Sequence, residues 1–406
     1  MRRICRGLLL VFAFAIPWEI SLDFGEPLGP VARIAGVLLV LMAIPAVLQA
    51  GRMRRLSPLH WAVLALYLWF CCTYFWTIEP PATLEKLRAY FQEMMIVWLV
   101  WEFAESSQDL RALLRAYVAG SWVLALLTIV NFSSPNAAES GQIRFVAEGQ
   151  NANDVARFLV LGFPMAALLF DSESRWLARF IALGYLPLGL FAVVLTASRG
   201  GAVATAFVLA GCALLLARKH ARAVMGGLLA MPPLAGVVWM VVPPATIARL
   251  GSILSEVQGG DLNDRVNIWV QGWHAFAQAP LIGTGLGTFV SAAGLAAIDT
   301  AHNSVLSIAV SGGLCGLFLA FAVFVLVIGS LRRIRGPLGL ALAITLLVWA
   351  ITSLTASVEE NRSTWMLFAL IALAGRLAVE EPGELAACFP SGNDLQASEA
   401  LAEPVL

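Results

Sequence analysis

The stretch Asp299-Thr300-Ala301-His302-Asn303-Ser304 sets one of only four histidines between a polar loop and an apolar run. An imidazole that is neutral near pH 7 can take a proton from a sugar hydroxyl, general-base chemistry worth roughly 10²–10⁴ in rate. The other three histidines read differently. His60 and His220 border apolar runs beside basic residues and suit ordinary interfacial positions, whereas His274 follows Trp273 and suits packing.

Arginines supply the second ingredient. Arg199 follows Thr196-Ala197-Ser198 at the end of one apolar run and precedes Gly200-Gly201 at the start of the next. A guanidinium at membrane depth is costly and commonly marks a ligand or a pathway. Arg144, Arg157 and Arg265 border two polar loops. Guanidinium groups stay charged and grip phosphate oxygens in pairs, so several on one cavity suit a diphosphate better than a single carboxylate. The plainer alternative pairs each of them with Glu148, Asp154 or Asp264 nearby in sequence. No group of histidines and carboxylates on these loops has metal-ligand spacing, so the expectation is chemistry without metal or cofactor, leaving charge being met by arginine. Gly283-Thr284-Gly285-Leu286-Gly287 lacks the strand and the Lys-Ser/Thr of a phosphate loop, and it reads instead as a tight turn back toward the membrane.

These residues must be positioned by elements that lie mostly in lipid. The chain is 60% hydrophobic and 13% charged, with a mean hydropathy of +0.82 over 406 residues, against roughly 25% charged residues in soluble domains. Apolar runs near 8–22, 30–48, 57–76, 88–103, 111–131, 154–170, 177–196, 200–217, 221–242, 303–330, 337–354 and 362–379 predict an all-α polytopic membrane protein of about twelve transmembrane helices. Of the 26 Lys and Arg residues, seventeen fall in one set of alternate connections and nine in the other. The richer set is expected in the cytoplasm, with both termini. The nine on the other side are Arg33, Lys86, Arg88, Arg144, Arg157, Arg199, Arg249, Arg265 and Arg362, and topology does not explain them.

Residues 1–379 read as one transmembrane domain whose two substantial outer loops cover about 131–153 and 243–302. Within the larger loop, Asn263-Asp264 resembles a helix start, and Val266, Trp269, Val270, Trp273, Phe276 and Ala277 recur at helical spacing before Pro280. An amphipathic helix is expected there, its aromatic face on the membrane or the bundle. Residues 380–406 show no apolar period and are expected to form a disordered cytoplasmic tail. The six cysteines avoid the outer loops and show no metal-binding spacing. A net charge of zero gives no pointer to nucleic acid.

Thr196-Ala-Ser198-Arg199-Gly200-Gly201, Arg265-x-x-Ile268-Trp269, Pro280-Leu-Ile-Gly283-x-Gly285-x-Gly287-x-Phe289 and Ala301-His302-Asn303 occur in this order. Together they resemble the O-antigen ligase and O-antigen polymerase superfamily, over roughly residues 140–320. The resemblance implies a GT-C-like membrane glycosyltransferase, inverting and metal-independent, facing the periplasm from the inner membrane. It implies an undecaprenyl-diphosphate-linked glycan as donor and, on the favoured ligase branch, a lipid A–core sugar as acceptor. Carried onto this sequence, His302 would activate the acceptor hydroxyl and Arg265 would act on the diphosphate. Arg199 would bind that diphosphate, joined by Arg144 and Arg157 in a less distinctive stretch. A polysaccharide polymerase on the same scaffold is the alternative. A secondary transporter or flippase is the alternative from another class, disfavoured because the charged residues gather on one face rather than at the midplane.

Overall fold

The computed structural model describes residues 1–25, 28–134, 141–259, 264–296 and 299–390. Among them the architecture is helical throughout, and ten helices are long and apolar enough to cross a membrane. In chain order the helices are α1 (Arg2–Ala15), α2 (Val31–Ala50), α3 (Pro58–Thr73), α4 (Pro80–Phe103), α5 (Ser107–Phe132), α6 (Ala152–Ser172), α7 (Trp176–Leu195) and α8 (Arg199–Val241). The outer-loop helices α9 (Pro244–Gly251), α10 (Ile253–Gly259), α11 (Arg265–Gln278) and α12 (Phe289–Ala292) follow. The chain continues as α13 (Ser304–Leu331), α14 (Gly336–Ser353), α15 (Arg362–Glu380) and α16 (Pro382–Cys388). Helix α8 changes direction at His220, whose φ of −126° is not helical, so it supplies two of the ten spans. Two of the twelve expected runs fall short of that standard. Helix α1 reaches it because a 3-10 helix, Ile16–Ser21, carries it on to a 20-residue span, whereas α3 has only 16 residues and α4 carries Glu85, Lys86, Arg88 and Glu93 along its length.

Helices α6 and α15 form the centre of the bundle and are buried on nearly every side. Small residues permit the closest approaches. A Cβ at Gly162 would lie 2.8 Å from the Tyr185 hydroxyl, which donates to Leu159 O at 2.7 Å. By contrast, no residue in the apolar window of Lys219–Val241, the second half of α8, is buried.

The helix ends sort into two faces. On one, Arg2 and Arg6 pair with Glu102 and Glu105, Arg115 with Glu173, Lys219 with Asp171, and Arg54 with Glu380. These are ends rich in arginine. The opposite ends of α6 and of the first half of α8 carry Asn153 and Arg199, and His302 precedes α13, whose far end is followed by Arg332 and Arg333.

The glycine turn has an unforeseen partner. Within α13, Gly313 adopts φ 65° and ψ −164°, which breaks the helix. The freed backbone groups pair with the 280–285 segment: Leu314 N donates to Pro280 O at 2.8 Å, Cys315 N to Leu281 O at 3.2 Å, and Thr284 N to Val310 O at 2.8 Å. Trp69 Nε1 and Trp76 Nε1 donate to Gly312 O and Gly283 O. Non-helical backbone near lipid persists only when its polar groups are satisfied in this way.

One expectation is corrected here, and a second is refined. The segment from residue 380 onward was expected to lack structure, yet Pro382–Cys388 is helical and buries Leu385, Cys388 and Phe389 against the bundle. Residues 391–406 of that expected tail lie outside the described residues. In α11 the buried stripe is Ile268, Gly272 and Ala275, with Trp269 and Phe276 half-buried. Val266, Val270, Trp273 and His274 are exposed. The small residues face the protein because they let backbones approach, and the large apolar ones need no protein partner at a lipid interface.

Candidate active site

Arg144 is fixed by two bonds, from Nε to Thr196 O at 3.1 Å and from Nη2 to Asn153 Oδ1 at 2.8 Å. The same Asn153 oxygen accepts from Ser198 Oγ at 2.9 Å, and Ser198 Oγ in turn accepts from Gly201 N as the N-cap of α8. Asn153 therefore ties the first outer loop to the Ser198-Arg199-Gly200-Gly201 turn. Glycine is required at 201 because a Cβ there would lie 2.5 Å from Ala156 Cβ on α6. Arg199 Nη1 donates to Ser252 Oγ at 3.2 Å, and Ser252 Oγ donates to Arg249 O. Thr246 Oγ1 donates to Ile143 O at 2.8 Å, which holds α9 against the stretch preceding Arg144.

Arg265 opens α11. The helix is pinned to the histidine loop by Trp269 Nε1, which donates to Ala301 O at 3.1 Å. Asn303 caps α13, its Oδ1 accepting from Leu306 N at 2.9 Å, and Ser304 Oγ donates to Ala356 O. Between these anchors stands His302, with Nδ1 facing Thr300 Oγ1 at 3.2 Å.

Backbone strain marks the same place. Among the described residues, only Ala197, Asp264 and His302 combine a side chain with a left-handed backbone, at φ 48°, 61° and 46°. Each is either a candidate residue or lies within two positions of one. Such conformations cost of order 1–3 kcal/mol apiece and persist where the surroundings enforce them, most often at functional sites. Asp264 does not cap α11 with its side chain, and the expected cap partner Asn263 lies outside the described residues.

The electrostatics show which groups converge. Burial, followed by repulsion from Arg249, Arg265 and Arg199, pushes the Arg144 guanidinium down to about 10. Burial and the proximity of Arg199 and Arg249 lower Arg265 as well. Four guanidinium groups thus share one region. His302 joins it through Arg265: burial and that positive neighbour hold the imidazole below its ordinary value of 6.5, against weaker pulls from Asp154 and Asp299. The ring is therefore neutral, and able to accept a proton, at neutral pH.

Arg157 stands apart from this group. It is buried, its Nη2 lies 2.8 Å from Asp154 Oδ1, and its guanidinium carbon sits 5.2 Å from the Phe158 ring centroid. The ion pair is the plain alternative that its sequence neighbours offered. Even so, Arg157 and Arg265 line one small cleft together with Ser198, Thr352 and Thr355. The geometry adds Arg249, to which no motif drew attention. Its only signal in sequence was membership of the arginine-poor set. Among the described residues, no three His, Cys, Asp or Glu side chains gather as metal ligands.

No curated protein matches the chain significantly. Residues 184–321 match the family model described as O-antigen ligase. The matched region contains Arg199, Arg249, Arg265, the glycine turn and His302, and it excludes Arg144 and Arg157.

Proposed function

We propose that this chain, which carries the O-antigen ligase domain over residues 184–321 and so falls in the O-antigen ligase and polymerase superfamily, is a membrane glycosyltransferase. The donor is an undecaprenyl-diphosphate-linked glycan and the acceptor a sugar hydroxyl of lipid A–core. The protein works in the inner membrane with its site on the periplasmic face, in a GT-C-like fold. The observation that carries this reading is the convergence of Arg144, Arg199, Arg249 and Arg265 beside a neutral, strained His302.

The chemistry follows from charge. Four cations held close together repel one another, and a diphosphate is the kind of multivalent anion that relieves that repulsion. As the bond between the sugar C1 and the diphosphate oxygen breaks, negative charge grows on the leaving group, where preorganised guanidinium groups stabilise it most. The acceptor oxygen attacks C1 from the opposite face, which inverts its configuration. The hydroxyl proton passes to His302, and Nε2 is the nitrogen left open because Nδ1 faces Thr300. Undecaprenyl diphosphate departs, and arginine charge meets the demand that a metal would meet elsewhere.

Reconstitution tests the assignment. Purified protein in liposomes is given lipid-linked glycan together with lipid A–core, and the products are separated by gel. Glycan joined to lipid A–core supports the ligase. Donor chains lengthened at each other's expense assign the polymerase instead. Labelled donor crossing the bilayer with no glycan joined to anything would sink both and favour a transporter.

A further inference from the structure

A large cavity of about 570 Å³ lies far from His302, at the other end of α13. Its polar wall is Arg333 and Arg335, in the turn between α13 and α14. Its apolar wall includes Leu338, Ala378, Leu385 and Phe389, the last two supplied by α16 and the residue after it. The volume falls in the range of built ligand pockets, about 300–1,000 Å³.

Three observations give the cavity a chemical sense. On this face Arg2, Arg6, Arg54, Arg115, Lys219 and Arg376 each have a carboxylate within ion-pair distance. Among the described residues, Arg333 and Arg335 have none, a property they share with Arg3, Arg52, Arg55 and Arg332; what distinguishes the two is that both line the cavity. The 18-residue helix α14 begins at Gly336, inside the cavity wall, so its positive end adds to the two guanidinium groups. The same cavity then turns apolar within one pocket. A soluble anion has no use for a wall of Ala378, Pro382 and Ala386, whereas an amphiphile has use for both halves.

We infer that this cavity binds an anionic phospholipid of the arginine-rich leaflet, its phosphate between Arg333 and Arg335 and an acyl chain along Ala378, Pro382 and Ala386. Basic pockets between transmembrane helices hold anionic headgroups by this combination of charge and apolar surface. The site also gives the segment after α15 a role. Helix α16 completes the apolar wall, and bound lipid would join the α13–α14 turn to it.

Native mass spectrometry of the full chain released from detergent tests this directly, with phosphatidylglycerol, phosphatidylcholine and soluble glycerol phosphate as probes. Phosphatidylglycerol should bind at least about tenfold more tightly than phosphatidylcholine, and the Arg333→Gln/Arg335→Gln double variant should lose about that factor. Both arginines are exposed, so the change removes charge without opening the core. Arg332→Gln, at an exposed residue outside the cavity, should leave binding within about twofold. Equal binding of the two lipids would overturn the inference. So would an equal loss in Arg332→Gln, which would indicate diffuse surface charge, or glycerol phosphate binding as tightly as the lipid.

Discussion

Replacing Gly313 by alanine should cost far more than the same change one residue earlier, and the reason lies in the broken helix. At φ 65° and ψ −164°, residue 313 occupies a region that side chains essentially do not adopt. A Cβ there would lie 2.5 Å from Ile282 N and closer still to the Leu281 carbonyl, whereas real Cβ contacts stay beyond 3.0 Å. These obstacles are backbone, so the turn must retreat by about half an ångström or more. The flanking bonds, Leu314 N to Pro280 O at 2.8 Å and Cys315 N to Leu281 O at 3.2 Å, would then weaken or break. Strain of about 1–3 kcal/mol plus two backbone hydrogen bonds at about 1 kcal/mol each gives a loss of roughly 3–5 kcal/mol. At Gly312 a Cβ would meet only the Phe70 and Trp69 side chains, at 3.1 Å and 3.3 Å, which can shift, so the cost there should stay near 1 kcal/mol or below. Denaturant unfolding of the two purified variants in one detergent measures the difference. If Gly313→Ala and Gly312→Ala lie within about 1 kcal/mol of each other, the stitched turn does not hold the structure as argued.

Three further outcomes follow from the charges. Arg249→Gln should raise the KM for lipid-linked donor about 10–100-fold with lipid A–core saturating, the loss of one charge-assisted contact to phosphate; steady-state kinetics check it, and an unchanged KM removes Arg249 from the site. Because burial and Arg265 hold His302 below 6.5, the acid limb of kcat/KM should have its midpoint below pH 6.5; a pH–rate profile whose acid limb is centred above 6.5 would contradict that protonation state. Burial, then the neighbouring Glu360, pushes the Glu359 carboxyl from 4.5 up to about 7. The folded protein therefore holds a proton that the unfolded chain releases, so this contribution to stability is full below pH 4.5 and is lost as pH rises through 7. Unfolding midpoints across that window should decline less in Glu359→Gln, and equal slopes for the two proteins would refute the assignment.

Much of the site could be read in the sequence because charge is rare in this chain. Arg144, Arg199 and Arg265 stood out as cations that topology did not explain, and they do converge. Arg249 carried the same signal without a flanking motif. Arg157 shows the limit of that reasoning, since its sequence neighbour Asp154 neutralises it inside the same cleft. The three glycines announced a turn, but the break at Gly313 was hidden in an unbroken apolar run from residue 303 to 330. Hydropathy cannot separate a helix side facing protein from one facing lipid, because lipid chains are as apolar as leucine. That is why α11 packs through Gly272 and Ala275 while Trp273 lies exposed. Helix α16 is hidden for another reason: Leu385, Cys388 and Phe389 do fall at helical spacing, but over only two turns in a stretch otherwise rich in polar residues and glycine.

The role of His302 is tested most directly by measuring donor binding and glycan transfer side by side in His302→Ala. The account predicts binding of lipid-linked donor within about threefold of the unaltered protein, because the guanidinium groups remain, and transfer slowed by about 10²–10⁴. Transfer within about tenfold of the unaltered rate would contradict it, since the imidazole would then not be the base.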